Sequence, residues 1–333
     1  MYESVRPASA RPAPSTIGRR GLLGVLGLGA LAPVLAACGS DGGSGSSDKP
    51  VIVTGCYGLT YIAQKVAGDQ AEVLSLAKPG VDPHDIELSV GEIAQLEKSD
   101  LIVTIPGFQA AVEDAIASKD LGDVQLSVGD VVTLLAGSGE DEHHHEDEES
   151  DAGGEEEHEE ESGAYDPHFW NDPTLLAQVG EAIAERLGTI TPDQAQTFTD
   201  NAAAATEELE SLDAELKEAF DAVDGERAFV TSHTAFAYLA KRYGLEQIGI
   251  TGIDPETEPS PKRLLELQQI IEDEGITTVF FETTASPKVA QTLADNVGVQ
   301  TAELDNLETQ LSEDTDYPAV MRENCQALVA SWT

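Results

Sequence analysis

Positive charge is scarce in this chain. Its 333 residues include 18 lysines and arginines against 62 aspartates and glutamates, a formal net charge of -44. Nucleic acid and anionic membrane surfaces would both be repelled, so neither is expected as a direct partner. Cations are the natural attraction. A prominent apolar run at residues 22–37 is too short for the about twenty residues that span a bilayer. Cysteine occurs three times, and neither Cys56 nor Cys325 has a neighbouring Cys or His to suggest a nucleophile. No His-Glu-x-x-His is present, so that zinc-hydrolase signature is missing. Histidine occurs only seven times, which makes its placement informative.

The length suits two domains of roughly 100–200 residues each. An apolar fraction of 41% is adequate for a core. The N-terminus reads as a targeting segment, with Arg11, Arg19 and Arg20 preceding the apolar run. The run closes on Leu35-Ala36-Ala37-Cys38 followed by Gly39-Ser40, which resembles a bacterial lipobox. Residues 1–37 are therefore expected to be a lipoprotein signal peptide, with Cys38 lipidated and residues 38–49 a flexible tether. Arg19-Arg20 also fits a twin-arginine export signal loosely, and the sequence leaves the export route open. Export would permit Cys56 and Cys325 to pair, but nothing in the sequence brings them together.

Past residue 50, strand-like and helical segments alternate, which implies βαβ units and a parallel sheet. Strands are predicted over residues 51–54, 72–77, 101–105 and 124–128, with helices over 59–66, 89–98 and 108–118. After an acidic interruption, helices are predicted over 173–187 and 191–223. The second opens with Thr191-Pro192-Asp193 and contains no internal breaker. At 1.5 Å per residue it would be a rod of roughly 45 Å, long enough to join two lobes. A pair of helices with a bend is the alternative. Alternation then resumes, with strands over 228–232, 246–250, 277–282 and 299–304. Helices fall over 235–243, 261–274 and 287–297, and one from Tyr317 closes the chain. The expected fold class is α/β: two lobes with parallel four-stranded sheets, residues 50–188 and 225–333, joined by a backbone helix over 189–224. No internal sequence repeat relates the lobes.

Four histidines, His143, His144, His145 and His158, fall in residues 140–161 among fourteen acidic residues. Without apolar residues the surrounding stretch, about 137–163, is expected to be disordered. Nothing fixes these imidazoles in one geometry, so any metal binding there pays ordering entropy and is weak and exchangeable. The three remaining histidines stand in loops. His84 lies in Gly-Val-Asp-Pro-His-Asp after a strand, His168 in Asp-Pro-His-Phe-Trp-Asn-Asp-Pro before a helix, and His233 follows the strand at 228–232. Loops at the carboxyl ends of strands line the ligand crevice of open α/β sheets. The preceding proline fixes the backbone that presents His84 and His168. A fourth donor is expected at another strand end, either Asp305 or Glu282. Three imidazoles and one carboxylate suit Zn²⁺, whereas Mn²⁺ would favour a more oxygen-rich set.

These motifs, together with Ser-His-Thr-Ala-Phe-Ala-Tyr-Leu-Ala-Lys-Arg-Tyr-Gly-Leu (232–245) and Glu-Pro-Ser-Pro-Lys (258–262), are similar to those of the zinc/manganese solute-binding lipoproteins of bacterial ABC importers. The resemblance covers roughly residues 50–330, and the acidic histidine-rich insertion is a mark of the zinc branch. It implies an interlobe metal site of His84, His168, His233 and Asp305, with Glu282 as an outer partner or alternative ligand. Histidine at the third position, where manganese members carry glutamate, favours Zn²⁺ over Mn²⁺. Further implications are a monomer anchored by lipid outside the cytoplasmic membrane, delivery of zinc to a membrane permease, and no catalysis. The acidic tract would gather zinc near the cleft mouth. Around Asp305 the chain departs from the family, reading Leu-Asp-Asn-Leu-Glu where relatives often have Pro and Gly. A zinc hydrolase using Glu282 as a base is the enzymatic alternative.

Overall fold

Four consecutive β-branched residues, Val51–Thr54, form the first strand, β1, and all but the first are buried. An apolar run covered on both faces is the mark of an interior strand in a parallel sheet. The computed structural model describes residues 49–137, 165–225, 227–282, 287–312 and 316–333. All lie in one compact unit, Asp48–Thr333. The expected signal peptide, Cys38 and the four histidines of the acidic tract fall outside the described residues, as does the tether up to residue 48. Among the described residues, no helix is long and apolar enough to cross a membrane.

The first lobe runs β1, α1 (Tyr57–Ala67), β2 (Glu72–Ser75), α2 (Val90–Leu96), β3 (Leu101–Thr104), α3 (Ala110–Lys119) and β4 (Gln125–Ser127). Its strands are parallel in the order β2-β1-β3-β4. Two long helices follow, α4 (Pro173–Ile190) and α5 (Ala195–Asp221). The second lobe runs β5 (Ala228–Thr231), α6 (Ala237–Tyr243), β6 (Glu246–Gly249), α7 (Pro261–Asp273), β7 (Thr278–Glu282), α8 (Lys288–Val297), β8 (Gln300–Leu304) and α9 (Tyr317–Trp332). Its sheet is also parallel, in the order β6-β5-β7-β8. The two lobes therefore share one topology that no sequence repeat reveals.

Helix ends follow local chemistry. Ser89 and Glu92 form a reciprocal capping box at α2. Asp172, Ser260 and Asp316 accept backbone N–H groups at the starts of α4, α7 and α9, each with proline in the first turn. The long helix is continuous: a single 3₁₀ turn at Pro192–Gln194 leads into 27 α-helical residues, a rod of about 40 Å. Its buried stripe is Phe198, Ala202, Ala205, Leu209, Leu212, Leu216 and Phe220. Spacings of three and four keep these residues on one face, which packs along α4, α1 and α9. Two glycines allow helices to approach closely. A Cβ on Gly180 of α4 would meet Ile62 at 2.8 Å, and one on Gly58 of α1 would meet Trp170 at 2.6 Å.

One apolar cluster extends from β1 and α1 through α4 and α5 to Phe229, Phe236, Tyr238 and Phe280 of the second lobe. Smaller clusters line the outer faces of the two sheets. The lobes thus share a core rather than meeting at a hinge. Cys56 and Cys325 belong to it as separate, buried free thiols. Burial pushes both up, Cys56 to about 12 and Cys325 to about 11, so neither is nucleophilic at neutral pH.

Candidate metal centre

Each of the two Asp-Pro-His turns uses its aspartate in the same way. Asp82 Oδ1 accepts the His84 backbone N–H at 2.8 Å, and Asp166 Oδ1 accepts that of His168 at 2.9 Å. Proline between them removes a competing donor and narrows the backbone. Gln109 secures the first turn by donating to Pro83 O and Gly55 O, both at 2.9 Å. The His84 ring meets Phe108 edge-on, with centroids 4.7 Å apart. His233 leaves β5 in a turn fastened by Thr231, whose hydroxyl donates to His233 O at 2.7 Å. Gln247 braces that hydroxyl by donating to it at 2.8 Å.

These three loops bring His84, His168 and His233 together, with Glu308 as the fourth member. The Glu308 Oε1 atom lies 3.4 Å from His84 Nε2, 3.3 Å from His168 Nε2 and 3.4 Å from His233 Nε2. One carboxylate oxygen thus faces three imidazole nitrogens at nearly equal range. A tetrahedral centre with metal–donor bonds of about 2.0–2.1 Å separates neighbouring donors by about 3.3–3.4 Å. The N₃O set suits Zn²⁺ in chemistry, and the carboxylate oxygen stands at tetrahedral spacing from each nitrogen, with all four donors within 4.8 Å of one another. His168, His233 and Glu308 are 0%, 1% and 1% exposed, while His84, at 13%, forms the rim.

Outer carboxylates orient two of the rings. His168 Nδ1 donates to Asp166 Oδ1 at 2.8 Å, leaving the Nε2 lone pair for a cation. Glu282 plays the corresponding part for His233: its Oε1 accepts the backbone N–H at 3.2 Å and lies 3.3 Å from Nδ1, an ion-pair distance. Glu282 is thus behind a ring, facing away from any position a hydrolytic water would need. The four converging donors also leave no open coordination position of the kind a catalytic zinc requires.

Asp305 is where the structure departs from the expected ligand set. Its Oδ1 accepts the Leu307 N–H at 2.8 Å, and its backbone is clamped by both ends of the Asn324 amide, at 3.0 and 2.7 Å. It holds the turn, and Glu308 reaches the histidines. Leu307 is left-handed, φ 59°, which swings the chain so that Glu308 points inward. Asn306 Oδ1 accepts the Glu308 N–H at 3.3 Å, and Trp170 Nε1 donates to Asn306 O at 2.8 Å. The missed signal was side-chain length. Asp readily closes a turn on its own backbone two residues on, whereas Glu is less suited to it and is free to reach.

Electrostatics set the state of the centre without metal. Burial opposes charge on His233, yet Glu282 and Glu308 outweigh it and push the ring up to about 10. His168 is likewise raised, by Asp166 and Glu308 acting against burial. Burial would raise Glu308, but the three histidines hold it well below the usual carboxylate range. A cation entering here must displace at least the His233 proton. Apparent zinc affinity is therefore expected to rise with pH, about tenfold per unit for each proton displaced, from pH 6 to pH 9. Calorimetric titration in buffers of different ionisation enthalpy should give one or more protons released per zinc. Release of none would show that His233 is already neutral.

A family model for the zinc-uptake complex component A, periplasmic (ZnuA), matches residues 52–331. The zinc-binding protein AdcA of Streptococcus pyogenes serotype M1 is 35% identical over 288 residues, covering 84% of this chain and 55% of that protein. The chain thus spans about half the length of the AdcA proteins it matches. The high-affinity zinc uptake system protein ZnuA of Bacillus subtilis strain 168 is 33% identical over 306 residues, covering 89% of this chain and 92% of that protein. Among solved structures, the laminin-binding protein Lmb of Streptococcus agalactiae, described as having adhesin and metal-transporting activity, superimposes with a TM-score of 0.72. It is 30% identical, with 86% of this chain and all of that one covered. With this extent of match and this metal centre, the chain belongs to the ZnuA family of zinc-uptake components.

Proposed function

We propose that this protein is the extracytoplasmic receptor of an ABC importer, capturing Zn²⁺ through His84, His168, His233 and Glu308 and passing it to a membrane permease. The observation that carries this reading is the single Glu308 oxygen within 3.4 Å of all three Nε2 atoms. Three nitrogen donors to one oxygen favour Zn²⁺ over the harder Mn²⁺. That the similar AdcA is a zinc-binding protein and the similar ZnuA a zinc-uptake protein supports zinc as the cargo, and the periplasmic component to which the chain is matched supports the location. In this reading Cys38 is the lipid anchor, and residues 50–188 and 225–333 are the lobes about the backbone helix at 189–224. The acidic tract feeds the centre with loosely held ions.

Capture requires no chemistry beyond exchange. Zinc meets His84 first, because that ring alone reaches the surface of the centre. It then trades the protons held on the inner imidazoles for coordination. Asp166 and Glu282 keep those imidazoles facing inward throughout. Competitive Zn²⁺/Mn²⁺ titration of the wild type, His233→Ala and a deletion of residues 140–161 tests the reading. One tight zinc site is expected, kept in the deletion and lost in His233→Ala. Loss of the tight site in the deletion alone would move the cargo site to the acidic tract.

A further inference from the structure

Gln109 stands at the start of α3, past the carboxyl end of β3, and is 6% exposed. Its carbonyl accepts the Val112 and Glu113 amides at 3.0 and 3.1 Å, which opens the helix and fixes its own backbone. The side chain then crosses a neighbouring strand. In the order β2-β1-β3-β4, β1 lies between β2 and β3, so a group at the end of β3 reaches the loop after β2 only over the end of β1. Gly55, the first residue past β1, leaves that passage open, since a Cβ there would collide with Oε1 and Cδ of Gln109. On the way the Nε2 group donates to Gly55 O and to Pro83 O, at 2.9 Å each. Pro83 directly precedes His84. Phe108, directly before Gln109, meets the His84 ring edge-on and itself bears on Trp170, with centroids 5.8 Å apart.

We infer that Gln109 is the positioning residue of His84, and that tight zinc binding depends on its carboxamide. His168 and His233 each have a carboxylate behind the ring, Asp166 and Glu282. Among the described residues, His84 has an ion-pair partner only in Glu308, on the metal side. Its placement therefore falls to Phe108 and to its own backbone, held at the N–H by Asp82 and at the preceding carbonyl by Gln109. Asp82 closes the turn on itself, whereas Gln109 ties it to the ends of β1 and β3. Without that tie the turn shifts as a unit and carries the ring off the position that faces Glu308. One corner of the centre is then misplaced while the other three stay.

The inference rests on the zinc-receptor reading, and the test separates the two. Zinc affinity is measured by chelator competition in the wild type, Gln109→Met, Gly55→Ala, His84→Ala and the double variant Gln109→Met/His84→Ala. Methionine keeps the length and packing of the side chain but donates no hydrogen bond. Gln109→Met is expected to weaken zinc binding about tenfold, the low end for losing an outer partner of a metal ligand. Gly55→Ala pushes the carboxamide out of its passage and should bring a similar loss. In the His84→Ala background, Gln109→Met should change zinc affinity no further, because the ligand it places is gone. A merely structural role would give the same loss in both backgrounds. That result, or wild-type affinity in Gln109→Met or Gly55→Ala, would overturn the inference and leave the receptor reading intact. A wild type without a tight zinc site would instead remove both.

Discussion

Glu308→Ala is expected to lower zinc affinity at least about 100-fold, whereas Asp305→Ala lowers it less than about tenfold. Losing an outer hydrogen-bond partner of a metal ligand typically costs 10–100-fold, and losing a ligand costs more. Glu308 supplies the oxygen that faces all three Nε2 atoms, so its removal leaves three imidazoles and an open corner. Asp305 acts only through the turn, by its hydrogen bond to Leu307, and the Asn324 clamp on its backbone survives the substitution. Competition against a chromogenic zinc chelator measures both variants. The opposite ranking would restore Asp305 as the ligand.

The largest effect on stability is expected at Trp170. This indole is fully buried, packs over Gly58 and Phe108, and donates to Asn306 O at 2.8 Å. Its backbone carbonyl also accepts the Tyr317 hydroxyl at 2.6 Å. Trp170→Ala should cost about 3–5 kcal/mol, the range for deleting a large aromatic from a core. Trp170→Phe keeps most of the packing but leaves Asn306 O without its donor, a penalty of about 1–3 kcal/mol. Urea unfolding of the zinc-free protein measures both without the contribution of bound metal. Equal losses in the two variants would mean that the hydrogen bond, and not the packing, dominates.

Most of the architecture was legible because each element carried its own local signal. The strands at Val51–Thr54 and Ala228–Thr231 are continuous apolar runs between helices. The helices at Val90–Leu96, Pro173–Ile190 and Tyr317–Trp332 announce themselves by caps and first-turn prolines. The three histidines were legible by subtraction, once the acidic tract was set aside. Two features were not. Glu308 was hidden because Asp305 stands closer to the strand end, and only three-dimensional geometry shows that Asp305 is occupied by its own turn. The shared topology of the sheets was hidden because strand order depends on which faces are buried, and many different sequences satisfy the same burial.

The shared core has a kinetic consequence. Asn171 donates to Ala235 O, Trp170 to Asn306 O, Tyr238 to Asp166 O and the Tyr57 amide to Glu308 O, all between 2.8 and 2.9 Å. These bonds stitch the first lobe to the second around the metal centre, and a wide parting of the lobes would break them together with the apolar seam. At about 1 kcal/mol net for each bond, plus the apolar area exposed, such an opening is a rare event. The residence time of a bound cation would then be governed by the rim: by how often the His84 ring lifts from Phe108 and lets water reach the ion.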